Sequence, residues 1–68
     1  MVFMIKGSIL RKLREEKGIP IGYLAHALGI SISALVAIER GKKQLTRDQL
    51  SIISGIFNMT IAELIARK

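Results

Sequence analysis

Apolar residues recur along the chain at the three- and four-residue intervals of helices, in five short runs separated by glycine, proline or small polar residues. Ile9, Leu10 and Leu13 mark the first run, over residues 9–17, with Ser8 as its N-cap after Gly7 and Gly18 as a left-handed stop. The second covers residues 21–28. Pro20 suits its start, because the missing N–H would have no partner there. Leu24, Ala25 and Leu28 form its inner face, Gly22 weakens it and Gly29 ends it. Ser31 caps the third, residues 32–40, which turns Leu35 and Ile38 inward and stops at Gly41. The fourth runs from residue 47 to about residue 57 behind a T-x-x-Q capping box of Thr46 and Gln49. Leu50, Ile53, Ser54 and Phe57 face the core, and Asn58 is a plausible left-handed stop. The fifth, from residue 61 to about residue 67, has a second capping box in Thr60 and Glu63, and Ile61, Leu64 and Ile65 close the core. Residues 1–6 fit an extension of the first helix, an edge strand or a free end.

This is the pattern of one all-α domain over residues 1–68, with residues 1–7 as an N-terminal segment that the pattern leaves open. Its second and third helices are joined by Gly29, Ile30 and Ser31 alone. Two short helices linked by about three residues including a glycine are the mark of a helix-turn-helix.

Composition narrows the function. The chain has 68 residues, and a core of that size supplies only about 3–5 kcal/mol unless something staples or pairs it. There is no cysteine, which excludes disulfides and thiolate metal sites, and the single histidine cannot build a zinc site alone. No cofactor or metal is expected, and dimerisation is the expected further source of stability. No apolar run approaches the roughly 18 residues of a membrane span, and MVFMI is too short for a signal peptide and has no cationic segment before it, so a cytoplasmic location is the default. Eleven Lys and Arg against five Asp and Glu give a net charge of +6 and a pI of about 10.4. A small domain this basic carries an electrostatic footprint suited to nucleic acid.

The run LRKLREEKGI, then LAHALGIS, then IERGKK, then a capped helix and a short helix containing ELI, resembles the helix-turn-helix domain of the phage repressor and Cro type, the XRE family. The resemblance covers about residues 8–65. It implies a five-helix, lambda-repressor-like domain whose third helix lies in the DNA major groove, as a rule in a two-fold dimer. It also implies an ion pair between Arg14 and Glu39 joining the first helix to the end of the third. The sequence departs from the family in three places. Pro20 and Ile21 replace the Ser-Gln or Thr-Gln that commonly opens the second helix, the outer face of the third helix is largely apolar, and Leu45 replaces a common proline.

The expected DNA-binding residues are Ser31, Ile32, Ser33, Val36, Ala37, Arg40, Lys42, Lys43 and Arg47. The stretch RGKKQLTR (40–47) is the phosphate-gripping part, beside a helix start whose N–H groups suit phosphate oxygens. Ser33 can exchange hydrogen bonds with base edges, and Ile32 or Ala37 can meet a thymine methyl. So thin a vocabulary weights recognition toward A·T content, groove shape and deformability. The functional reading is a regulator, in the sense of a repressor, binding a palindromic double-stranded DNA site as a homodimer. The alternative is a protein-interaction module on the same scaffold, docking a protein partner on a patch of Ile21, Ile32 and Val36. Ile52, Ile56 and Ile65 are candidates for the dimer seam. Tyr23 could reach a phosphate, and His26 reads as simply exposed. An enzyme is not expected: the acids are few and scattered, and no phosphate loop or serine–histidine–acid set is present.

Overall fold

The computed structural model describes residues 5–67. Five α-helices follow one another: α1 (Gly7–Glu16), α2 (Ile21–Leu28), α3 (Ile32–Glu39), α4 (Arg47–Phe57) and α5 (Ile61–Ala66). No strand occurs among the described residues. The axes of α2 and α3 turn by 103° at the break between them, within the range of a helix-turn-helix.

The stops work by one mechanism. At the ends of α1, α2, α3 and α4 the chain passes through a left-handed residue, with φ of 66° at Gly18, 69° at Gly29, 78° at Gly41 and 54° at Asn58. In each case the following N–H returns to a carbonyl five residues back: Ile19 to Arg14, Ile30 to Ala25, Lys42 to Ala37 and Met59 to Ser54. This is the Schellman arrangement, which satisfies carbonyls the helix end would otherwise strand. The starts of α3, α4 and α5 are held by Ser31, Thr46 and Thr60. Thr46 with Gln49 and Thr60 with Glu63 form complete capping boxes.

A second regularity fixes how each helix enters the core. The residue before every N-cap is apolar, and the residue five positions later is leucine: Ile5 and Leu10, Ile19 and Leu24, Ile30 and Leu35, Leu45 and Leu50, Met59 and Leu64. Seven of the ten are buried in one core cluster, and Ile19, Ile30 and Met59, partly buried, pack against it. This is the spacing of a hydrophobic staple, which sets the entry angle of a helix. Ile53, Phe57, Leu13, Leu28 and Ile38 complete the centre.

Some boundaries and core assignments differ from the sequence expectation. Residues 1–4 of the N-terminal segment lie outside the described residues. Ile5 is buried, and Lys6 caps α1 without a side-chain bond. α1 therefore starts at Gly7, and Ser8 is an exposed residue of the first turn and not its cap. A Cβ at Gly7 would overlap the carbonyl oxygen of Ile38 and stand 2.8 Å from the backbone of Glu39. The glycine lets the start of α1 lie against the end of α3. α2 covers Ile21–Leu28 as expected, with Pro20 at its N-cap, while Lys17, Arg40 and Arg67 fall at C-caps just outside their helices. Ser54, Ile61 and Ile65 are half-buried, not central. Ser54 donates its hydroxyl hydrogen bond to the carbonyl oxygen of Met59.

Candidate nucleic-acid interface

α3 packs inward through Leu35 and Ile38, which are 0% and 4% exposed. Helical periodicity then turns Ile32, Ser33, Val36 and Ala37 to the other side. Ile32 and Ser33 are exposed, and Val36 and Ala37 are half-buried. Ser31 is exposed, and its Oγ accepts the N–H of Ala34 over 3.1 Å, which leaves its hydroxyl proton and a second lone pair for a partner. Ile32, at 52% exposed, is the most open apolar residue of this helix. A Cβ at Gly22 would lie 3.7 Å from Ile32 Cδ1, so this isoleucine rests over the glycine notch of α2.

The basic loop begins where α3 ends. Arg40 is the C-cap, Gly41 reverses the backbone, and Lys42 and Lys43 are exposed. The loop is tied at both ends. The N–H of Lys42 donates to Ala37 over 2.9 Å, and Leu45, only 5% exposed, plugs into the core. Thr46 accepts the N–H of Gln49 over 3.1 Å, and Gln49 Oε1 accepts the N–H of Thr46 over 2.9 Å. The first N–H groups of a helix have no partner within it, and those of Arg47 and Asp48 open α4 beside the loop. Arg47 is exposed. In chain order the nine residues singled out for DNA contact make a strip of sequence, from Ser31 and the outer face of α3 to four exposed cations between residues 40 and 47.

Arg14 and Glu39 join α1 to α3. Nε of Arg14 donates to Glu39 Oε2 over 2.7 Å, Nη2 donates to Oε1 over 3.3 Å, and Nη1 donates to the carbonyl of Ile19 over 2.9 Å. Hydrogen bonding to Glu39 holds the Arg14 guanidinium above its ordinary pKa, against the opposing effect of burial. Arg14 therefore stays charged and spends its donors inside the protein.

Ile52 of α4 is 40% exposed, and Ile65 of α5 is half-buried. Ile56 packs partly on its own core, so Ile52 is the freer member of this set. On α2, Tyr23 is 59% exposed and His26 is exposed. Among the described residues no three His, Cys, Asp or Glu side chains gather where a metal could bind, and no single helix is long and apolar enough to cross a membrane.

Three residues have structural roles that the sequence did not assign to them: Leu45 pins the basic loop, Gly22 seats Ile32, and Gly7 admits α1 to the end of α3. For Leu45 the signal was present, an apolar residue directly before a capping threonine.

The model of the family described as helix-turn-helix matches residues 10–64. An inferred HTH-type transcriptional regulatory protein of Thermococcus kodakarensis is 38% identical over 59 residues, and one of Thermococcus gammatolerans is 36% identical over 59 residues. In both cases the match takes in 87% of this chain and 19% of the relative, so the chain spans about a fifth of their length. Two crystal structures of the clp gene regulator ClgR from Corynebacterium glutamicum share the fold, with TM-scores of 0.81 and 0.77 at 26% identity. They match 96% of this chain, and 69% and 84% of the respective ClgR chains.

Proposed function

The chain belongs to the helix-turn-helix family, and on that premise we propose that it is the DNA-reading unit of a transcriptional regulator, acting in the cytoplasm. Double-stranded DNA is its partner, with α3 in the major groove and the loop after it on the phosphates. The observation that supports this most is the outward face of α3 followed in the chain by four exposed cations, Arg40, Lys42, Lys43 and Arg47. The loop supplies affinity without sequence information, and the face of α3 supplies the reading. Ile32 and Ala37 meet thymine methyl groups, and Ser33 exchanges hydrogen bonds with a base edge.

The unit works as a homodimer on a palindromic site. Ile52, with Ile56 and Ile65 beside it, forms the seam, and pairing sets the two copies of α3 about 34 Å apart, one turn of DNA. Occupying the site is enough to block other proteins, which favours repression. Selection of bound duplexes from random sequence tests the reading. An inverted repeat rich in A·T is expected, with affinity falling steeply as salt rises. Absence of binding to any duplex at low salt would reject it.

A second reading rests on the 52% exposure of Ile32 beside half-buried Ile21 and Val36. Such a patch also suits a protein partner. The double variant I32A/V36A separates the two. Under the DNA reading it flattens sequence preference and leaves the salt dependence. Under the partner reading DNA binding is untouched and only protein capture is lost.

A further inference from the structure

A cleft of about 200 Å³ opens between α1, the start of α2 and α3, lined by Arg11, Arg14, Ile21, Val36, Glu39 and Arg40. Three guanidinium groups against one carboxylate leave it with two positive charges in excess. Arg14 and Glu39 neutralise each other, and the third nitrogen of Arg14 is taken by the carbonyl of Ile19. The spare cations are therefore Arg11 and Arg40. Among the described residues Arg40 joins no ion pair. Arg11 meets Glu15, one turn along α1, over 3.3 Å, with the two side chains 62% and 55% exposed. An exposed pair of this kind is weak and easily exchanged. Val36 belongs both to this cleft and to the outward face of α3.

We propose that this cleft seats one DNA backbone phosphate, gripped by Arg11 and Arg40 between the apolar walls of Ile21 and Val36. The proposal rests on the DNA-binding reading above and adds to it a contact from α1 that the basic loop does not provide. Arginine suits the role because its planar fork matches phosphate oxygens. The closed Arg14–Glu39 pair at the same cleft keeps Glu39 from repelling the anion. Glu15 acts as a placeholder that Arg11 leaves when DNA arrives.

The neighbouring cation gives a matched control. Lys12 lines a different hollow, with Ile9, Leu13, Glu16 and Arg67, on the side of α1 that meets the end of the chain. R11A and K12A each remove one positive charge from adjacent positions of one helix. Binding of the whole chain to duplex DNA is measured across a salt series. R11A should lower the slope of log affinity against log salt by about 1, equally for selected and unrelated sequences. K12A should leave the slope at the wild-type value. E15Q should strengthen binding in the wild type and give no gain in R11A. Equal behaviour of R11A and K12A, or an equal gain from E15Q in both backgrounds, would overturn the assignment of the cleft. A wild type that shows no salt-dependent binding would instead remove the DNA-binding reading, and the cleft with it. Unchanged melting temperatures for the exposed R11A and K12A variants exclude misfolding as the cause.

Discussion

Arg14 and Glu39 stand 25 residues apart in sequence and meet through two hydrogen bonds, with side chains only 11% and 5% exposed. The pair ties the end of α1 to the end of α3, the helix whose direction decides what the strip can touch. A buried ion pair contributes little net stability over an apolar pair of the same size, but losing one partner strands the other charge. R14A should therefore cost about 3–5 kcal/mol, comparable to the whole stability of a core this small. Denaturant titration should find R14A largely unfolded, while a repacked R14M/E39L double variant stays folded. Wild-type stability in R14A would refute this account.

Two glycines of the same composition class should respond in opposite directions. At Gly7 an added methyl group runs into the backbone of Ile38 and Glu39, which cannot move aside as a side chain would. G7A should destabilise by about 1–3 kcal/mol through overpacking. Gly55 lies in α4, exposed, and a Cβ there meets nothing within 4 Å. G55A should stabilise by about 0.5–1 kcal/mol, since alanine loses less backbone entropy in a helix. Thermal melts of the two single variants decide the matter, and shifts of the same sign would contradict the packing described for Gly7.

These glycines show which parts of the fold can be read from sequence. α2 and α4 have the limits that their caps and periodicity predict, because a cap is a local device whose residues are neighbours in the chain. Gly7 misleads as a helix boundary because its reason lies in α3, about thirty residues away. Leu45 and Ile5 look like loop and end residues, yet each stands five places before a core leucine. That interval is legible once the staple is looked for at every helix. The cationic loop is legible because its four charges fall between residues 40 and 47. Arg11 is not, because the cleft that singles it out from Lys12 exists only after three helices pack.

The proposed seam predicts a concentration-dependent stability. Ile52 is 40% exposed in one protomer, a large apolar side chain on a helix that already buries Leu50, Ile53 and Phe57. If a second copy covers it, the melting temperature of the wild type should rise with protein concentration, as mass action requires. I52E should be a monomer whose melting temperature ignores concentration, and it should bind an isolated half-site as the wild type does while losing the gain from a second half-site. Sedimentation equilibrium reads the mass directly. A wild type that stays monomeric at the highest concentration reached would leave the seam without support.

The last prediction concerns α5, the short helix that brings Ile65 to that seam. Its start depends on a reciprocal box, in which Thr60 N–H donates to Glu63 Oε1 over 2.8 Å and Glu63 N–H donates to Thr60 Oγ1 over 3.0 Å. The backbone bond, and after it the Thr60 side chain, hold the Glu63 carboxyl below its ordinary value of 4.5. A depressed carboxyl stabilises the fold while ionised. Its contribution is complete above 4.5 and is lost as pH falls through the lower folded value. E63Q keeps the box with a neutral acceptor, so its own contribution does not titrate. Other carboxylates titrate in the same acid range, and the informative quantity is the difference between the two proteins. Wild type should be the more stable at neutral pH, and the gap should close as the solution is acidified below about 4.5. Melting curves over that range, with the Glu63 resonance followed by NMR, test it. A gap that stays constant with pH would show that the charge of Glu63 does nothing for the start of α5.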